Sequence, residues 1–294
     1  MREYVFSGCG TALITPFKGG EVDYEAYAKL IDRQVDAGID FLVPLGTTAE
    51  TPCLMDDEKI KLLELTKEHA KGKKLLVGAG TNSLQHTIKN IKILELHGAD
   101  AFLIVVPYYN KPTQEGMYQY FKAVAESTDK SIVLYNVPGR TGSNLAVETT
   151  LRLARDVENI VAIKEASGNY AQISQIISQR PEGFAVLSGN DDETLSLMST
   201  GAQGVISVAS NIAPRLVVAL TNALKAYDMD SARLLHYELM PLFRNCFVES
   251  NPIPTKAAMN AMGLISNELR LPLVPATENT YKLMIETLKG LALL

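Results

Sequence analysis

The stretch DYEAYAKLIDRQVDAGIDFLVPL (residues 23–45) holds, in order, a helix start, an amphipathic helix, a stop and a strand. Asp23 suits a helix N-cap, Tyr24, Tyr27 and Ile31 share one helical face, and Gly38 ends the run. FLVPL, branched and aromatic, then reads as a strand. The unit recurs: a glycine stop precedes an apolar run at Gly72 before LLVGA, at Gly98 before AFLIVV and at Gly201 before GVISV. Strands are expected to begin near Thr11, Phe41, Leu75, Phe102, Ile132, Ile160, Phe184 and Gln203. Each is a continuous apolar run, as in a parallel sheet covered on both faces.

About eight such units in roughly 210 residues predict an α/β chain folded as a TIM (β/α)8 barrel. The alternative, a doubly wound open sheet, normally carries a glycine fingerprint after its first strand. TALITPFKGG (11–20) has none. Beyond residue 208 the strand pattern stops, and 209–294 reads as helices broken by Pro214, Pro241, NPIP (251–254) and LPLVP (271–275). Pro252 and Pro254 suit a helix start ahead of TKAAMNAMG. The expected organisation is a barrel over 1–224 and a helical subdomain over 225–294, packed on it without a linker.

The chain has 294 residues, is 47% hydrophobic and carries a net charge of −5. That acidic balance, without a basic stripe, argues against nucleic acid as a partner. MREYVFSGCG lacks the apolar region of a signal peptide, and runs such as AFLIVVP are too short to span a bilayer. Cys9, Cys53 and Cys246 make an odd count with no CxxC, which fits a reduced, cytoplasmic compartment. Cys53 is read as a free buried thiol.

In a TIM barrel the chemistry gathers at the carboxyl ends of the strands. The second predicted strand ends in GTTAE (46–50), the fourth in PYYNKPTQEG (107–116), the fifth in YNVPGRTG (135–142), the sixth at Lys164 in IVAIKEASG, and the seventh in SGND (188–191). A lysine amine ending a strand of branched apolar residues is poorly solvated, which disfavours an ammonium and favours a nucleophilic amine. The competing reading lays the stem along the sheet with its head in water. Tyr135 ends the neighbouring strand, either as a proton carrier or as an aromatic filling the barrel top. Thr47 and Thr48 are substrate hydroxyls or ordinary turn residues. Arg140 suits bidentate capture of a carboxylate, or lies in a surface loop. SGND and GVISV match phosphate-binding loops only weakly.

His69, His86, His97 and His236 fall on predicted helices without ligand spacing. Aldol chemistry needs an electron sink, a metal or a lysine iminium. With no ligand cluster at the mouth, the iminium is favoured, and neither metal nor cofactor is expected. VAIK also matches a kinase signature, but no glycine-rich loop precedes it and no HRD or DFG follows.

In this order and spacing, GTTAE, PYYNKPTQEG, YNVPGRTG, AIKEASG, SGNDD and GVISV resemble the dihydrodipicolinate synthase branch of the class I, pyruvate-dependent aldolase/lyase superfamily. The resemblance extends through ESNPIPTKAAMNAMG (249–263) and LRLPLVP (269–275). Sialic acid lyases typically have serine then threonine at the Thr47–Thr48 pair and no counterpart of Arg140. The resemblance implies that Lys164 forms a Schiff base with pyruvate and that Tyr135 is the general acid/base. Thr47 and Tyr109 complete a proton relay, Tyr109 entering from a neighbouring subunit. Thr48 holds the pyruvate carboxylate, the main chain near Ile206 and Gly189 lines the pocket, and Arg140 anchors L-aspartate 4-semialdehyde. The product is a hydroxylated tetrahydrodipicolinate on the route to diaminopimelate and lysine, and the expected assembly is a homotetramer.

Two departures stand out. Ala49 replaces a usual glycine, at a cost of about 1 kcal/mol if that position needs positive φ. In lysine-inhibited relatives an interface pocket uses two histidines and a glutamate. Asp56, Lys59 and His86 stand at those positions here, although Asn82 and Tyr108 match, so weak or absent feedback is expected. Two other functions compete: an aldolase of the 2-keto-3-deoxygluconate or 4-hydroxy-2-oxoglutarate type, and a non-catalytic barrel that binds a keto acid.

Overall fold

A computed structural model describes residues 4–294, and the first three residues of the MREYVFSGCG segment lie outside the described residues. The chain opens with β1 (Gly8–Ala12), a small hairpin of β2 (Phe17–Lys18) and β3 (Glu21–Val22), and α1 (Tyr24–Asp36). Next come β4 (Phe41–Val43), α2 (Asp56–His69), β5 (Lys74–Gly78), α3 (Leu84–Leu96), β6 (Ala101–Val105) and α4 (Gln114–Ala125). Then follow β7 (Ser131–Asn136), a short α5 (Pro138–Thr141), α6 (Val147–Asp156), β8 (Ile160–Glu165) and α7 (Tyr170–Gln179). The barrel finishes with β9 (Ala185–Ser188), α8 (Thr194–Ser199), β10 (Gly204–Ser207) and α9 (Pro214–Lys225). A C-terminal helical part holds α10 (Met229–Asn245), α11 (Ile253–Ala261) and α12 (Glu278–Gly290).

The strands pair in parallel in the order β1, β10, β9, β8, β7, β6, β5, β4, and β4 pairs again with β1. The result is the expected closed barrel. Thr11 lies inside β1, and each other expected start falls within one residue of an observed one. Asp23 caps α1 by accepting from Ala26 N at 3.0 Å. Gly38, Gly72, Gly98 and Gly201 all have positive φ, the left-handed stop that lets a chain leave a helix and turn into a strand.

Alternation along each strand splits the core in two. Leu103, Val133, Tyr135, Ala162 and Leu187 fill the barrel interior, while Phe102, Ile132, Leu134 and Ile163 meet the helices outside. One expected break does not occur: α10 runs through Pro241. Proline there frees the carbonyl four residues back, on Tyr237, and both residues lie on the exposed side, where a helix tolerates a missing bond best. No helix among the described residues is long and apolar enough to cross a membrane.

Candidate active site

Tyr135 and Lys164 are direct partners in the register of β7 and β8. Both point into the barrel, at 7% and 6% exposure. Lys164 Nζ stands 4.3 Å from the centroid of the Tyr135 ring, so the amine meets the electron-rich face of its neighbour. Together with Thr47, Thr48, Arg140, Gly189, Val208 and Asn251 they line a cavity of about 50 Å³. Thr47, Tyr135, Arg140 and Asn251 also line a larger cleft of about 480 Å³.

The turn after β4 positions the threonines. Thr47–Ala49 is one turn of 3-10 helix, in which Thr47 is exposed and Thr48 buried. Thr48 Oγ1 accepts from Asn251 Nδ2 at 2.9 Å, and Thr15 Oγ1 donates to Ala49 O at 2.9 Å. The left-handed residues are Leu45 and Glu50, with φ of 57° and 53°. Ala49 is not among them, so the strain considered for it does not arise.

Gly189 sits beside the lysine because nothing larger fits. A Cβ there would lie 2.6 Å from Ala166 Cβ and 3.1 Å from Lys164 Cε. Arg140, on α5, is exposed, and its guanidinium forms no ion pair among the described residues. Ile206 is fully buried in the interior cluster and does not line the cavity; Val208, two residues on, does. Tyr109 is 89% exposed and lines neither space in this chain, although Tyr108 borders the cleft. The structure thus gathers Lys164, Tyr135, Thr47, Thr48, Arg140 and Gly189, and leaves Tyr109 outside.

Several residues at the site were not singled out by the sequence reading, although Asp191 falls in its SGND motif. Asp191 is buried, and its Oδ2 accepts from Val208 N at 2.9 Å and Ala209 N at 3.0 Å, which fixes the turn lining the cavity. Burial pushes its carboxyl up, against hydrogen bonds from Ser207, Ala209 and Val208 and the positive charge of Lys164. Asn251 and Phe247 reach the cavity from the C-terminal part. Neither follows from strand ends.

Cys53 borders the cleft half-buried rather than buried. Burial, and then the Glu50 charge, push its thiol up. Lys59 also borders the cleft and pairs with Asp56 at 3.2 Å, while His86 is exposed on α3. His69 pairs with Asp32 at 3.1 Å and His97, just past the end of α3, with Glu64 at 2.8 Å. No three His, Cys, Asp or Glu side chains converge on a metal geometry among the described residues.

The model of the dihydrodipicolinate synthetase family matches residues 5–291. The chain belongs to that family. It is 50% identical over 294 residues to the 4-hydroxy-tetrahydrodipicolinate synthase of Thermotoga maritima, covering 99% of this chain and 100% of that one. The crystal structure of the Thermotoga maritima dihydrodipicolinate synthase superposes with a TM-score of 0.98 over 99% of this chain and 100% of that one, at 49% identity. A dihydrodipicolinate synthase variant described as monomeric superposes at 0.97, with 49% identity and 98% of each chain covered. The Acinetobacter baumannii enzyme, solved with pyruvate, superposes at 0.95 over 98% of this chain and 99% of that one, at 39% identity. At this similarity the chain shares its fold with those solved structures over nearly its whole length.

Proposed function

We propose that this chain is a lyase of the dihydrodipicolinate synthetase family that condenses pyruvate with L-aspartate 4-semialdehyde to 4-hydroxy-tetrahydrodipicolinate, in the diaminopimelate and lysine pathway. The observation that carries the reading is the pairing of Lys164 with Tyr135 in one buried cavity, with the Arg140 guanidinium at its rim.

The Lys164 amine attacks the pyruvate ketone, and loss of water leaves an iminium, which acts as the electron sink. Loss of a methyl proton gives the enamine. Its carbon attacks the aldehyde of the second substrate, whose own amine then displaces the lysine and closes the ring. Tyr135 is the general acid/base, relayed through Thr47 and Tyr109, the latter supplied by a second copy. Thr48 and the main chain at Gly189 and near Ile206 hold pyruvate. Arg140 binds the semialdehyde carboxylate through its planar pair of donors. The lysine–pyruvate imine takes the place of any external cofactor.

The barrel of residues 1–224 carries the catalytic groups, and the helical subdomain of 225–294 completes the pocket through Asn251. The assembly is a homotetramer in the cytoplasm, a setting that suits three unpaired thiols. Feedback by lysine is weak or absent, because the Lys59 ammonium repels that of the effector. Activity falling steeply at submillimolar lysine refutes this point. The synthase names of the relatives disfavour both the other-aldehyde aldolase and the non-catalytic barrel.

Borohydride reduction in the presence of pyruvate, read by intact mass, tests the central step. One adduct is expected on the wild-type chain and none on Lys164→Ala. No adduct on the former, or an undiminished adduct on the latter, overturns the site.

A further inference from the structure

On the other side of the barrel wall from the reacting pair lies a closed hydrogen-bond network that no step above uses. Asn136 and Glu165 follow Tyr135 and Lys164 along β7 and β8 and are themselves partners in the register. Alternation turns them outward, under α6 and α7, and both are 0% exposed. Asn136 Nδ2 donates to Glu165 Oε1 at 2.7 Å, so a side-chain bridge joins the two strands one residue from the site.

The bridge is held from every side. Glu165 Oε2 accepts from Gln172 Nε2 and from Ser167 Oγ, both at 3.0 Å. Asn136 Oδ1 accepts from Leu145 N at 3.0 Å, which fixes which way its amide points. Asn144 links the Asn136 and Gln172 amides, accepting at 2.9 Å and donating at 2.8 Å. All three side-chain partners of Glu165 are donors, an arrangement that matches a carboxylate. No cation pairs with it among the described residues. The segment before α6 and α7 itself present uncharged amides, Lys164 projects from the opposite face of β8, and the other charge bearing on Glu165 is Glu193, ahead of α8.

We propose that Asn136 and Glu165 are positioning residues for the aldol chemistry, fixing the spacing of Tyr135 and Lys164 from behind the wall. The inference rests on the roles assigned above to those two residues. A glutamine presents a donor where Asn136 or Gln172 already donates, so one side of the bridge must open, and a protonated carboxyl accepts more weakly and must turn the Ser167 hydroxyl round to take its proton. Burial pushes the Glu165 carboxyl up to about 7, against the three hydrogen bonds. The bridge is therefore complete above that pH and loosens below it.

The test measures the rate of pyruvate imine formation against pH by borohydride quench, in wild type, Glu165→Gln and Ser167→Ala. Wild type should lose rate as pH falls through about 7. Glu165→Gln should fold, run about tenfold slower above that pH at unchanged half-saturation by pyruvate, and show a weaker acidic limb than wild type. Ser167→Ala removes one donor to the carboxylate and should move the limb to higher pH. A wild-type rate and limb in Glu165→Gln, or an unmoved limb in Ser167→Ala, overturns the proposal. The second variant decides alone if the first does not fold. Absence of any wild-type adduct at Lys164 instead overturns the parent assignment, and is seen before either variant is compared.

Discussion

Arg140 stands at the rim of the cleft on a one-turn helix, exposed and without an acidic partner among the described residues. A guanidinium left free at a cavity mouth suits an incoming carboxylate, and a charged hydrogen bond of this kind contributes about 1.5–3 kcal/mol. Arg140→Ala should therefore lower kcat/KM for the semialdehyde by about 10- to 100-fold. Borohydride trapping of pyruvate should be unchanged, because imine formation happens before that residue is engaged. Equal damage to both measurements would place Arg140 in the pyruvate site instead. At this scale the sequence was readable wherever a residue ends a strand and faces in, as Lys164 and Tyr135 do. Glu165 was passed over because it faces out, and nothing in a linear reading shows that Asn136 lies across from it. Asn251 was invisible for another reason: it reaches Thr48, 203 positions away, only through the packing of the C-terminal part.

The eight barrel strands were legible because each buries both faces and so carries an unbroken apolar run. The β2–β3 hairpin was not, since two-residue strands leave no period to detect. That hairpin belongs to a buried contact joining the turn after β4 to α11. Lys256 Nζ lies 2.5 Å from Glu50 Oε1 with both side chains at 0% exposure, donates to Glu268 O at 3.0 Å and stands 4.1 Å from the Phe17 ring centroid. Burial lowers the Lys256 ammonium to about 8, against the pull of Glu50. Removing one partner of such a pair strands the other charge in a dry site, so Lys256→Met should destabilise the fold by about 3–5 kcal/mol. Urea unfolding monitored by circular dichroism measures it. The double variant Glu50→Gln/Lys256→Met should recover most of that loss, because no uncompensated charge remains. If the double variant is as unstable as the single one, the contact acts by shape rather than by charge.

At the scale of the whole molecule, the residue that the chain does not use on itself is the informative one. Tyr109 carries a left-handed backbone with φ of 72°, leaves 89% of its surface exposed and lines neither space at the barrel mouth. Tyr108 beside it borders the cleft, so the loop after β6 approaches the mouth and then projects outward. A large aromatic held outward costs apolar exposure unless a second copy covers it, and a two-fold interface would return the partner's equivalent residue to this mouth. Mixing tests the idea without a structure of the assembly. Lys164→Ala and Tyr109→Phe chains should each be nearly inactive alone. After unfolding and refolding together, half of the random dimers pair one chain of each kind. In each of these, one of the two mouths holds an intact lysine and a partner tyrosine, so about a quarter of the wild-type rate should return. Failure to regain activity, with mixed dimers demonstrated by native mass spectrometry, would mean that each mouth works with its own chain's residues alone.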